Sequence, residues 1–442
     1  MPAEPTVCVI GAGSSGIAVV KALADRELPF DCFEMSDRVG GNWAFRNPNR
    51  RSAAYRSLHI NTSRDRMAYA DLPMPHDYPD FPHHTLVARY FDQYVDHFGL
   101  RERITFNTEV TRTVRLARRR WRVMLGSGEE REYGALVVAS GHHWDPRWPD
   151  PPIPGEFTGT VLHSHAYIDP GEPLDMHGKR VVVVGMGNSA MDIACELCRS
   201  GIAERLYLSA RRGAWVVPNY LFGRPLDRLG LTHPLVPWRV QSLAAGLLLR
   251  TLVGVPWRFG LPRPDHSPLA AHPTISQDLL VRLGRGDILP KPEIERLEGG
   301  TVRFADGSAV EADVIVYCTG YKVSFPFFDP GFLATPGNDL PLWRRLVRPS
   351  EDDLFFVGLL QPLGATMPLA EAQARLIGEL LVGRYALPPA GAMRAEMERE
   401  RRRMFARYVT SERHTMQVDF DRYLHELVRE RKAGEQRARS CR

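Results

Sequence analysis

Two stretches of this chain have the residue types and spacing that hold a dinucleotide. Gly11-Ala-Gly13-Ser14-Ser15-Gly16 follows the β-rich run Thr6 to Ile10 and opens a predicted helix, Ile17 to Arg26. Gly185-Met-Gly187-Asn188-Ser189-Ala190 follows Lys179 to Val184 and opens another, Met191 to Arg199. In each, the first Gly permits a tight turn and the second, without Cβ, lets backbone approach a pyrophosphate. The last small residue lets helix and strand pack closely, and the phosphates meet the positive helix N-terminus. A glycine pattern alone is common; a strand before it and a helix after it make it informative.

The strand beyond each turn separates two ligands. Beyond the first turn, Phe30 to Phe33 ends in Glu34, a carboxylate able to accept both ribose hydroxyls of an adenosine that carries no 2′-phosphate. FAD fits that place. After the second turn the equivalent place reads Leu206-Tyr-Leu-Ser209-Ala-Arg211-Arg212, with no acid. A hydroxyl and two guanidinium groups suit a 2′-phosphate, so NADPH is expected over NADH. Gly40, Gly41 and Trp43 add paired glycines for close approach to a ligand and a flat apolar wall, although a turn alone would explain the pair. The Gly-Gly-x-Trp segment resembles one that lies beside the flavin in flavoproteins.

The elements that position these residues come in the same order twice. After the first turn come an amphipathic helix, Val87 to Phe98, and a predicted three-stranded meander, Ile104 to Leu116, Arg120 to Leu125 and Arg131 to Ala139, closing on Ala139-Ser140-Gly141. After the second come Thr301 to Phe304, a hairpin turn at Asp306-Gly307, Ala312 to Tyr317 and Cys318-Thr319-Gly320. This is an internal duplication of architecture with the second unit inserted into the first. The expected fold is α/β with two Rossmann-like dinucleotide-binding domains, each with a β-meander: a discontinuous FAD domain, 1–152 and 315–442, and an NADPH domain, 153–314. The irregular region from Arg212 to Pro273 is expected to cover the cofactor cleft and shape substrate entry.

The chain has 442 residues, room for two to three domains, with 44% hydrophobic and 25% charged residues. Its net charge is +5 and its pI near 8.9, without blocks of basic residues alternating with aromatics, so nucleic acid is not an expected partner. The N-terminus lacks the pattern of a signal peptide. Ser242 to Pro256, the most apolar stretch, is interrupted by Arg250 and falls short of the roughly 20 residues a spanning helix needs, so a buried or surface-lying helix is expected there. Six cysteines, unevenly spaced, fit a reduced cytoplasmic protein. Cys195 and Cys198 form a C-x-x-C with no second pair, which reads as small buried residues on the helix behind the second turn. The pairs His83-His84 and His142-His143 lack metal-ligand spacing, and no metal is expected.

Just before the second turn stands Phe157, Gly159, His163, Tyr167, in the spacing F-x-G-x-x-x-H-x-x-x-Y. On composition it reads equally well as a linker. Joined to Gly185–Ala190, it resembles the fingerprint of the flavin-containing monooxygenases, in the N- and S-oxygenating branch. Ser57-Leu-His-Ile-Asn61 resembles the family segment whose Asn lies at the flavin and supports oxygen activation, a role the resemblance gives to Asn61; by residue type alone Asn61 is equally a turn former. Leu354 to Val357 with Gly358, Glu371 and Gln373 resembles the closing flavin segment, and Arg413 to Asp419 with Tyr423 the C-terminal pattern. The resemblance spans nearly the whole chain and is weakest between Pro225 and Pro273.

The resemblance implies hydride transfer from NADPH to FAD, addition of O₂ to form a flavin C4a-hydroperoxide shielded by bound NADP⁺, and attack on its distal oxygen by a small soft amine or sulfide. A Baeyer–Villiger monooxygenase acting on ketones has a similar fingerprint, usually ending in Trp where this chain has Tyr167. A non-catalytic redox sensor that binds flavin and NADPH is the alternative from another class. The sequence leaves the oligomeric state open, a homodimer among the options.

Overall fold

The computed structural model describes residues 7–229, 236–349, 351–407 and 416–440. The chain forms two compact units, one of Met1–Ser52, Thr62–Asp145 and Lys322–Arg442, the other of Ala53–Asn61 and Pro146–Tyr321. Beside the expected division at 152/153 and 314/315, the notable difference is that the short piece Ala53–Asn61 belongs to the second unit.

In the first unit five parallel strands run in the order Leu354–Phe356, Ala135–Val138, Val7–Ile10, Phe30–Phe33, Ile104–Thr105. Val7–Ile10 and Ala135–Val138 are unbroken apolar runs, buried at every position. That is the pattern of parallel strands covered on both faces. A separate antiparallel meander consists of Val110–Ala117, Arg120–Leu125 and Glu130–Tyr133. Its Trp121, Val123 and Leu125 pack with Cys8, Ile10, Leu136 and Val138 of the parallel sheet.

The expected outer meander strands are therefore each divided: Ile104–Thr105 and Ala135–Val138 join the parallel sheet, and only Val110–Ala117 and Glu130–Tyr133 join the meander. The amphipathic helix begins earlier than expected, at His84, because His83 acts as its N-cap and its Nδ1 accepts the Thr85 N–H at 3.4 Å.

The second unit repeats this plan position by position. Its parallel strands run Thr160–His163, Val314–Tyr317, Arg180–Val184, Arg205–Ser209, Leu289–Lys291. Its meander, Ile294–Gly299, Thr301–Phe304 and Ala309–Glu311, takes on Gly155–Phe157 as a fourth, parallel strand. The helix Asn188–Leu197 buries Ala190, Met191, Ile193, Ala194, Cys195 and Leu197 against the sheet, so Cys195 is a core residue of that helix. In the region expected to be irregular, Val216–Val217 pairs with Thr274–Ile275, and Trp238–Leu248 is a surface-lying helix with Leu243 and Leu247 exposed. Among the described residues no helix is long and apolar enough to cross a membrane.

Candidate functional site

In the first unit the glycine turn is pressed against Ala139-Ser140-Gly141 at the end of the neighbouring strand. Gly11 has φ +98°, and a Cβ there would lie 2.9 Å from the Ala139 carbonyl oxygen. A Cβ on Gly16 would lie 1.9 Å from the Gly11 carbonyl oxygen, so the helix Ser14–Ala24 can sit this close only with a bare residue at that point. Gly13 is its N-cap, with no side chain capping it and no acid in the first turn, which leaves the helix-end N–H groups free for an anion. Beside it, the Gly40 N–H donates to the Ala12 carbonyl at 3.2 Å, and a Cβ on Gly41 would lie 3.1 Å from the Gly13 Cα. Trp43, in the short turn Gly41–Trp43, is half-buried. Ser14 and Ser15 begin the helix; the Ser14 carbonyl accepts the Tyr69 hydroxyl at 2.5 Å.

Glu34 stands at the end of its strand, 5% exposed. Its two oxygens accept the Ala12 N–H at 2.7 Å and the Ser36 N–H at 2.8 Å. Burial pushes this carboxyl above its ordinary range, and the two N–H groups pull the other way. Each oxygen keeps a further lone pair, so the carboxylate is oriented by backbone and still able to accept from a ribose.

Gln373 is placed a layer further back than a ligand contact requires. It is fully buried; its Oε1 accepts the Gly358 N–H at 3.0 Å and its Nε2 donates to the Tyr423 hydroxyl at 2.7 Å. The amide is spent inside the protein, and its reach toward the first turn is through Gly358, which abuts Ser15. Of the C-terminal pattern, Gln417 to Asp419 forms a strand with Gln361–Leu363, while residues 413–415 lie outside the described residues.

The second turn uses the same device in its own unit. Gly185 has φ +135°, and a Cβ there would lie 2.6 Å from the Cys318 carbonyl oxygen, the counterpart of Ala139. Gly187 caps the helix Asn188–Leu197, again without a capping side chain or an acid in the first turn. Asn188 turns its Oδ1 to the Ile275 N–H at 2.9 Å, while Ser189 is half-buried and Ala190 fully buried. Ser209 is buried and its hydroxyl donates to the Pro292 carbonyl at 2.7 Å, so its proton is committed away from a phosphate. Arg211 and Arg212 are exposed, each with a loose ionic contact at 3.9 Å, to Glu293 and Asp265 respectively.

The string Phe157–Tyr167 is an ordered part of the second unit. Phe157 ends the strand added to the meander, and Thr160–His163 is the edge strand of the parallel sheet. Gly159 joins them where a Cβ would lie 2.4 Å from the Asp313 carbonyl oxygen and 2.6 Å from the Phe157 ring, so no larger residue fits. His163 is buried, its Nδ1 accepts the His165 N–H at 3.1 Å, and burial holds the imidazole down at about 4, neutral at physiological pH. Tyr167, fully buried, donates to Glu196 at 2.8 Å on the helix behind the second turn.

Two residues outside the expected site, Tyr55 and Asp192, complete this cluster. Tyr55, 4% exposed, packs edge-on to Tyr167 with ring centroids 6.2 Å apart, and its hydroxyl donates to Asp192 on the same helix. Asn61 ends the segment that Tyr55 anchors, half-buried in the second unit. The sequence signal available was the i, i+4 pair Asp192 and Glu196 on the predicted helix behind the second turn.

Two glycine turns, each opening an uncapped helix and packed against Ala139-Ser140-Gly141 or Cys318-Thr319-Gly320, accompany an ordered F-x-G-x-x-x-H-x-x-x-Y string, and the model of the family "Flavin-binding monooxygenase-like" matches residues 4–435. The chain belongs to this family. "Flavin-containing monooxygenase 5" of Rattus norvegicus is 34% identical to it over 96% of this chain and 82% of that protein. "Dimethylaniline monooxygenase [N-oxide-forming] 2" of the same organism is 33% identical over the same shares. Among solved structures, S-allyl-L-cysteine S-oxygenase from Allium sativum superposes with a TM-score of 0.72 at 25% identity, covering 97% of this chain and 88% of that one. Cyclohexanone monooxygenase shares the fold, with a TM-score of 0.71 at 19% identity, covering 98% and 99%. The protein is a flavin monooxygenase, an oxidoreductase that uses FAD and NADPH. Its bare glycine cradle and uncapped helix ends fit two dinucleotide pyrophosphates.

Proposed function

We propose that this flavin monooxygenase oxygenates soft nucleophilic nitrogen or sulfur atoms of small amines and sulfides with O₂ and NADPH. The observation that carries the reading is the Tyr167 end of the fingerprint: a phenol fixed on Glu196, in the string that resembles the N- and S-oxygenating branch. An N-oxide-forming and an S-oxygenating protein among the similar ones support it. A Baeyer–Villiger activity on ketones is the second reading, and only the shared fold of cyclohexanone monooxygenase favours it.

Bound FAD, once reduced by NADPH, supplies the activation of oxygen. The chain's own residues hold and orient. In the first unit Gly11, Gly13, Ser14, Ser15 and Gly16 would present helix-end N–H groups to the FAD pyrophosphate, Glu34 would accept from its ribose, and Gly40, Gly41 and Trp43 would wall the same ligand. In the second, Gly185, Gly187, Asn188, Ser189 and Ala190 would hold the NADPH pyrophosphate, and Arg211 and Arg212 its 2′-phosphate. Asn61 is the residue we assign to the oxygen-activating step. A cytoplasmic setting belongs to the same reading, from composition, and a homodimer remains one option for its assembly.

The test is product analysis with a tertiary amine, a thioether and a cyclic ketone under NADPH and air. N-oxide or sulfoxide formed in step with NADPH consumption is the expected outcome. Lactone as the preferred product would move the protein to the Baeyer–Villiger reading, and peroxide with no organic product would make it an oxidase. Asn61→Ala is expected to keep FAD and lose product; parental turnover would remove Asn61 from the reaction.

A further inference from the structure

The segment Ala53–Asn61 interrupts the first unit in sequence yet belongs to the second. Several contacts fasten it there. The Arg56 N–H donates to the Ile168 carbonyl at 2.8 Å, directly after Tyr167. The Arg56 guanidinium meets Asp169 at 2.7 Å, in solvent, where such a pair contributes at most about 1 kcal/mol. Leu58 packs on the core cluster that contains Val181, Ala190 and Met191. A turn closes from the Leu58 N–H to the Tyr55 carbonyl at 3.0 Å, shortly before Asn61.

The buried contact is Tyr55 with Asp192. Tyr55 and Tyr167 meet edge to face and present their hydroxyls to Asp192 and Glu196, carboxylates one turn apart on the helix that opens at Gly187. Burial raises both phenols far above their ordinary range, so they stay protonated donors, and pushes Asp192 up to about 6. An apolar contact would bury the same surface with less desolvation, but without direction. A phenol hydrogen-bonded to a carboxylate fixes the distance and angle of the chain on either side.

We propose that the Tyr55–Asp192 hydrogen bond is a latch that positions Asn61, fixing its segment to the helix that opens at the second dinucleotide turn. The proposal rests on the role given to Asn61 above. Tyr55 and Asp192 are positioning residues in it: they act through Asn61.

Tyr55→Phe keeps the ring and removes the hydroxyl. Three results are expected. Hydrogen exchange of the 53–61 amides quickens tenfold or more, with the helix Asn188–Leu197 unchanged. The kcat for oxygenated product falls about tenfold, with peroxide released instead, while KM for NADPH stays within twofold. In an Asn61→Ala background, Tyr55→Phe leaves the rate of NADPH-dependent peroxide release unchanged, since both act through one residue. Asp192→Asn keeps an acceptor and retains product formation, whereas Asp192→Leu behaves as Tyr55→Phe; this pair also serves if Tyr55→Phe fails to fold. Parental exchange and coupling in Tyr55→Phe, or effects that add to those of Asn61→Ala, would overturn the latch. Asn61→Ala with parental turnover overturns both the role of Asn61 and the latch; an inactive Asn61→Ala beside a parental Tyr55→Phe overturns the latch alone.

Discussion

Removing the charges of Arg211 and Arg212 together is the sharpest test of which dinucleotide the second unit takes. In the structure both guanidinium groups are more exposed than buried, with relative exposures of 71% and 56%, and their acidic neighbours Glu293 and Asp265 stand 3.9 Å away and are themselves about half exposed. Pairs of that kind are worth ~0–1 kcal/mol each, so little holds the arginines from a phosphate and little stability goes with them. A hydrogen bond to a charged partner contributes about 1.5–3 kcal/mol. At so exposed a place the lower end applies, and even one such bond lost is about tenfold, two about a hundredfold. Arg211→Ala with Arg212→Ala should therefore raise the KM for NADPH ten- to a hundredfold, leave the KM for NADH unchanged and shift the melting temperature hardly at all. The assay is steady-state NADPH and NADH oxidation on the same purified protein, with circular dichroism as the check on folding. An equal rise for both cofactors would refute the reasoning, because NADH has no 2′-phosphate to lose. Ser209→Ala serves as a companion: its hydroxyl is spent on Pro292, so it should change the ratio of the two KM values less than twofold.

Gly16→Ala should destabilise the first unit by about 3 kcal/mol or more and yield protein without bound flavin, since its Cβ would fall 1.9 Å from a backbone oxygen that cannot yield; a yellow, normally melting variant would show that the helix can move away. Asp313→Asn tests the ion pair that ties two strands, in which Arg180 meets both carboxylate oxygens at 2.8 and 3.1 Å. That pairing holds Asp313 down at about 2 from its ordinary 3.8, so its stabilisation is present above pH 3.8 and lost as pH falls through 2. With a third of each side chain exposed, the full shift is discounted to about 1 kcal/mol at neutral pH, a difference between parent and variant in urea melts that should vanish in acid. Tyr167→Phe should cost about 1–3 kcal/mol, because it leaves the Glu196 carboxylate without its phenol donor; an unchanged urea midpoint would mean that solvent reaches Glu196.

Much of this fold was legible because a glycine turn is a local event. Gly11 to Gly16 and Gly185 to Ala190 each announce a strand, a turn and a helix within a short window, and the repeated order of parts announces two parallel sheets. The division of the meander was not legible. Ile104 to Leu116 and Arg131 to Ala139 read as single strands because β-propensity is continuous through them, whereas the change of sheet is decided by which partner lies alongside. The buried run Ala135–Val138 against the alternating Glu130–Tyr133 was the available sign. His83 looked like half of an idle histidine pair and is a helix cap, a role that only the backbone geometry of its neighbour reveals.

The site divides along the same line. Residues that must be bare, such as Gly11, Gly16, Gly159 and Gly185, declare themselves in the sequence, because a missing side chain can be needed by only a few kinds of surroundings. Polar side chains do not. Ser209 and Gln373 have the right chemistry at the right spacing, yet one gives its proton to Pro292 and the other spends its amide on Gly358 and Tyr423. Whether a hydroxyl or amide faces a ligand or supports the backbone that does depends on a rotation that no spacing encodes. Tyr55 and Asp192 are the reverse case, far apart in sequence and unremarkable in type, joined only by folding. Asn61 stands between the two: its type is ambiguous, its place comes from resemblance, and the structure adds that the segment bearing it is anchored by a buried phenol to the helix that opens at Gly187. A residue assigned to oxygen chemistry is thus carried by the unit assigned to NADPH.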